Sequence, residues 1–138
     1  MASQLPHNGY LLGLDVGSKR IGAAVASVIA QLPQPLEVIA AGDSAIAQVE
    51  SLVRKENVTM IVVGIPRNLD GQETAQSQTI RNFASELAKI VSVPVEFADE
   101  SLSSVRAHEV AKQPNFKNTS QDSIAACFIL EEFLNGNR

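Results

Sequence analysis

The chain has 138 residues, 45% hydrophobic but only 4% aromatic, and a formal charge of −4. That length can bury a full core in one domain and is too short for the two-lobed body of an actin-like or sugar-kinase ATPase. The acidic balance excludes a generally basic nucleic-acid binder, because phosphate contacts require Lys or Arg, so any such site must be local.

Before the first strand, Met1 to Gly9 reads as a flexible tail without the apolar core of a signal peptide, and no later run is long enough to span a membrane. The chain therefore reads as a single cytoplasmic domain over 1–138. Leu11 to Val16 alternates so that Leu11, Gly13 and Asp15 share one face of a strand while Leu12, Leu14 and Val16 share the other. Both faces look buried, and Asp15 is the charge that needs explaining. Gly17 permits a tight turn, and Arg20 to Ala26 returns antiparallel to the first strand. Asp15 then has three readings: a turn aspartate bonded to its own backbone, the phosphate-binding hairpin of an ATPase, or the first metal-binding acid of a ribonuclease H-like nuclease.

Gln31 to Pro35 is a proline-broken connection, and Leu36 to Ala41 reads as an edge strand. Ile46, Val49, Leu52 and Val53 recur at helical spacing, predicting a helix from Ser44 to about Glu56, capped by Asp43 or Ser44 and ended by Asn57. Val58 to Ile65 is a β-branched run expected of a central strand covered on both sides. The loop Arg67 to Gly71 follows its carboxyl end, where open α/β sheets place ligands. Gln72 to Val91 predicts a second helix with Ile80, Phe83, Leu87 and Ile90 on its buried stripe, and Val93 to Ala98 a further strand. Asp99 to Ser104 opens a short helix, Lys112 to Ser120 is a polar loop, and the last helix runs from about Gln121 to Leu134 after a Thr119 or Ser120 cap. There Asp122, Ala125, Ala126, Ile129 and Phe133 share one stripe, so Asp122 sits on the core-facing side near the strand ends.

The fold expected is α/β with a ribonuclease H-like layout: a mixed five-stranded sheet, three antiparallel strands and then parallel ones, flanked by helices. The lone Cys127 excludes an intrachain disulfide and reads as a small buried hydrophobe; His7 and His108 form no zinc pattern. Any metal should therefore be hard and oxygen-bound.

Four stretches, Gly13 to Gly22, Val63 to Gly71 with Gln76, Arg81 and Phe83, Asp99 to Ser104, and Gln121 to Ala126 with Ile129-Leu130, resemble the YqgF/RuvX family from about Tyr10 to Leu134. Its members are small ribonuclease H-like proteins related to the RuvC Holliday-junction resolvases and named as pre-16S rRNA nucleases. The resemblance implies a metal-dependent endonuclease acting in 5′-end maturation of pre-16S rRNA. It assigns Asp15, Glu100 and Asp122 as a carboxylate triad for Mg²⁺ or Mn²⁺.

Lys19, Arg20, Arg67, Arg81 and Lys117, with the neutral donors Asn68 and Gln76, are the candidates for holding substrate phosphates around this rim. Few aromatics imply no stacking platform for unpaired bases. Cleavage of branched DNA, or a non-catalytic RNA- or ribosome-binding module, are the alternatives, and the molecule could be a monomer or a homodimer. Ser101 stands where the family usually has Arg, the acid common near Val28-Ile29 is absent, and the Lys112 to Ser120 loop is short and weakly basic. Those departures bear on nucleic-acid affinity and leave the triad intact.

Overall fold

A computed structural model describes residues 5–66, 74–99 and 121–136. Its elements are β1 (Tyr10–Val16), β2 (Arg20–Ser27), β3 (Gln34–Pro35), β4 (Ile39–Ala40), α1 (Ala45–Lys55), β5 (Val58–Ile65), α2 (Ala75–Ile90), β6 (Val95–Asp99) and α3 (Gln121–Gly136). The sheet order is β3-β2-β1-β5-β6, with β4 also on β2. β2 is antiparallel to β1, β3 and β4, whereas β1, β5 and β6 run parallel. This is the mixed sheet expected from the order of elements.

The third strand differs from expectation. In place of one strand from Leu36 to Ala41, two short pieces lie along β2, pairing Ala24 with Pro35 and Ile21 with Ile39. Between those pairs the edge chain takes four steps where β2 takes three, so one extra residue is accommodated as a bulge. Pro35 has no N–H to continue a ladder, and the next donor, Leu36 N–H, reaches the Ala23 carbonyl at 2.8 Å.

The period-2 pattern of β1 divides the core into two layers. Leu12, Leu14 and Val16 pack with Val49 and Val53 of α1 and with Ile80 and Leu87 of α2. On the reverse face Leu11, Ala24, Ala26 and Val62 pack with Ile129 and Leu130 of α3. The expected stripe of α2 is displaced at its end. Ser77, Ile80, Ala84 and Leu87 are buried and Val91 continues the series, leaving Ile90 60% exposed and Phe83 only partly covered. The 3-4-3-4 spacing follows the helical turn, and Ile90 falls one position to its side.

Helix ends follow local chemistry. Ser44 is the N-cap residue of α1, but its Oγ accepts from the Gln48 side chain instead of a backbone N–H. Asn57 takes a left-handed φ of 55° just after α1, which is how it ends the helix. Thr74 caps α2 by accepting from the Ser77 N–H at 3.0 Å. Within the expected tail, Leu5 packs against the α3-side core and the Asn8 carbonyl accepts from the Thr59 hydroxyl at 2.9 Å. The short helix after Asp99, the Lys112 to Ser120 loop and its capping residues lie outside the described residues.

Helix α3 approaches the sheet most closely at small residues. A Cβ on Gly13 would strike the Leu130 side chain, and one on Gly22 would overlap the Asp122 carbonyl. Gly22→Ala should therefore push the first turn of α3 off β2 and cost about 1–3 kcal/mol of stability, as overpacking does. Urea unfolding would measure this; an unchanged midpoint would show that the approach is looser than described.

Candidate active site

Asp15 stands at the carboxyl end of β1, half-buried, and is the direct cross-strand partner of Gly22. Facing residues of an antiparallel pair project to the same side of the sheet. Since the missing side chain of Gly22 points at Asp122, Asp15 lies on the α3 face beside the start of that helix. Parallel pairing sets Leu14 beside Val63, and Ile65 beside Asp99. The carboxyl ends of β1, β5 and β6 thus share one rim of the sheet.

Three contacts are made between the first turn of α3 and β2. The Asp122 backbone sits over Gly22. The buried Ser123 hydroxyl accepts from the Ala23 N–H at 3.4 Å, where the bulged edge chain takes only that residue's carbonyl. Arg20 Nε donates to Asp122 Oδ2 at 2.9 Å. Two carboxylates from distant parts of the sequence and one guanidinium are therefore gathered at a single rim.

The remaining candidates are spread more widely. Lys19 is exposed in the β1–β2 turn, and its carbonyl accepts from Ala41 N–H at 3.0 Å. Gln76 lines a cleft of about 270 Å³ with Val16, Gly17, Ser18, Thr79 and Ile80. That cleft is at the same end of the sheet but on the α1–α2 side. Arg81 also lies on that side, with its guanidinium 5.3 Å from the centre of the Phe97 ring. Arg67, Asn68, Glu100 and Lys117 lie outside the described residues. Among the described residues no group of three or more His, Cys, Asp and Glu side chains is placed to hold a metal ion. Asp15 is the cross-strand partner of Gly22, over which the Asp122 backbone sits, and the third candidate, Glu100, follows Asp99 in the chain at the end of β6.

Two features escaped the sequence reading. Ser123, next to Asp122 at the start of the last helix, was given no role, although a hydroxyl at the buried start of a helix signals a backbone contact. Tyr10 and Phe97 are about two-fifths exposed, so aromatic surface is present after all, and Phe97 is matched with Arg81. Cys127, expected to be a buried hydrophobe, is only partly buried, packed against the α3-side core. Burial first, and the Glu131 carboxylate second, push its thiol from 9.0 up to about 12.

Asp15 at the end of β1 and Asp122 in the first turn of α3 both carry carboxylate oxygens near Gly22, a donor type that fits a hard divalent cation. The comparisons bear on what such a pair serves. A family model described as Holliday junction resolvase RuvX matches residues 9–136.

The chain belongs to the RuvX family.

Its relatives carry the name "Putative pre-16S rRNA nuclease", and nuclease is the enzyme class that goes with the family. One from Chloroflexus aggregans is 37% identical over 134 residues, covering 93% of this chain and 94% of that protein. Another from Orientia tsutsugamushi is 34% identical over 126 residues, covering 88% and 80%. In fold, the chain is similar to Thermus thermophilus RuvC in complex with a Holliday junction substrate, with a TM-score of 0.58 and 14% identity over 94% of this chain and 93% of that one. Fowlpox virus resolvase bound to junction DNA gives a TM-score of 0.56 and 11% identity, covering 92% and 97%. The layout is thus the ribonuclease H-like one. Among the described residues no helix is long and apolar enough to cross a membrane.

The raised thiol of Cys127 has a measurable consequence. The folded chain keeps a proton that the unfolded chain releases above about pH 9, so this group's contribution to stability is present below pH 9 and is lost as pH rises towards 12. Alkylation of Cys127 by iodoacetamide at pH 8 should be about a hundredfold or more slower in the native protein than in the unfolded chain, because only the thiolate reacts. Equal rates would place the thiol in a polar, accessible setting.

Proposed function

We propose that this RuvX-family nuclease is a metal-dependent endonuclease acting on the 5′ end of pre-16S rRNA in the cytoplasm, as part of ribosome biogenesis. The observation that supports it most is the docking of Asp122 onto Gly22, the cross-strand partner of Asp15. Asp15 is rooted in a central strand and Asp122 in a clamped helix turn, so both carboxylates are presented from rigid elements. Glu100, next to the end of β6 in the chain, is the proposed third carboxylate.

Asp15, Asp122 and Glu100 would hold Mg²⁺ or Mn²⁺. Bound there, such a cation would supply Lewis-acid activation of water and charge neutralisation at the departing oxygen. The side chains do the rest: the carboxylates fix where the scissile phosphate must lie, and Lys19 in the adjoining turn supplies a cation to the phosphate backbone. Arg67, Asn68 and Lys117 are proposed as further phosphate contacts. Gln76 and Arg81, on the other side of the sheet, would meet nucleic acid only where it passes around the rim. A junction-DNA substrate is the second reading, favoured by the description of the matching family model.

Purified protein with Mg²⁺ or Mn²⁺ should cleave structured pre-16S rRNA to a 5′-phosphate product, and EDTA should abolish cleavage. Asp15→Asn and Asp122→Asn should each lower the rate by at least about a hundredfold, the upper end of what losing a mere outer-shell partner costs. Full activity in EDTA or in either variant would remove the mechanism. Faster cleavage of four-way DNA junctions than of RNA would favour the second reading.

A further inference from the structure

We propose that Arg20 is a positioning residue that acts through Asp122 and sets the affinity of the site for its divalent cation; this rests on the reading of Asp15 and Asp122 as metal ligands. Arg20 is the first residue of β2, and its backbone is fixed from both sides. Its carbonyl accepts from the Gly17 N–H at 2.9 Å, and it pairs with Ala40 on the edge. It lies two residues before Gly22, so strand alternation sends its side chain to the α3 face. There Nε meets Asp122 Oδ2 at 2.9 Å.

Two considerations separate positioning from the alternatives. The Arg20 side chain is 62% exposed and that of Asp122 35%, so the pair is too well solvated to be what holds α3 in place. Ile124, Ile129 and Leu130, all essentially buried, anchor the helix without it. What the guanidinium does control is the rotamer of a carboxylate in the first helical turn. An ionised carboxylate offers about four acceptor sites, so one bond to Nε orients the group without preventing metal ligation. Outer-shell bonds of this kind commonly change metal affinity by about 10–100-fold.

The test is Mn²⁺ binding without nucleic acid, followed by electron paramagnetic resonance of free Mn²⁺, in wild type, Arg20→Ala, Arg20→Lys and Asp15→Asn. Arg20→Ala should bind about tenfold or more weakly, Arg20→Lys should recover part of the loss, and thermal unfolding of both should stay close to wild type. In turnover at saturating metal, Arg20→Ala should leave KM for the nucleic acid and its salt dependence unchanged. Equal or tighter Mn²⁺ binding by Arg20→Ala would overturn the positioning role while wild-type binding that is lost in Asp15→Asn upholds the metal reading. A raised KM with a shallower salt slope and unaltered Mn²⁺ affinity would likewise overturn it, making Arg20 a direct phosphate contact. Wild-type protein that binds no Mn²⁺ would overturn both readings.

Discussion

The close approach of α3 to β2 at Gly22 is the constraint on which the rest of this structure depends. A helix can bring its backbone against a sheet only where side chains are absent, and the sequence supplies that gap opposite the one acid of β1. The consequence is chemical as well as steric. The absence of bulk at Gly22 lets the first turn of α3 settle over the cross-strand partner of Asp15. Ser123 then satisfies a backbone N–H that the bulged edge leaves to it, which makes the local arrangement specific in register and not merely close.

Such an arrangement has an electrostatic side. Two carboxylates at one rim repel each other, and Arg20 supplies positive charge at the Asp122 end. Ion pairing at that degree of exposure adds little to stability, about 0–1 kcal/mol, whereas burial of the α3 stripe supplies the anchoring. Stability and site geometry therefore draw on different residues of the same helix. Buried aliphatics hold α3, and its first polar turn is left to serve the rim.

Much of this was legible in the chain. Alternation along Leu11 to Val16 gave the two faces of β1 and set Asp15 on the same side as Gly13, and helical spacing put Asp122 on the core-facing side of the last helix. The apolar run Val58 to Ile65 declared a central strand. What the pattern could not supply was the pairing of individual atoms. Nothing in Gly22 announces a helix above it, because a glycine inside a strand also suits a bulge. Arg20, expected to hold phosphate, pairs with Asp122 in this structure, a partner that strand parity alone could not name. The edge strand was misjudged at both ends: Gln34–Pro35, read as part of a proline-broken connection, pairs with β2, and of Leu36 to Ala41 only Ile39–Ala40 pairs with it, beyond the bulge. Ile90 looked like part of the α2 stripe because a short window cannot distinguish the 3-4-3 spacing of Ile80, Phe83, Leu87 and Ile90 from the 4-3-4 spacing of Ile80, Ala84, Leu87 and Val91.

The central claim is that Asp15 and Asp122 converge on one divalent-cation site. Anomalous diffraction from crystals soaked in Mn²⁺ tests it most directly. The account predicts a peak between the two carboxylates, with an oxygen of each within about 2.0–2.6 Å, the range for hard cations. Ordered Mn²⁺ bound only elsewhere, with Asp15 and Asp122 turned away from each other, would contradict it.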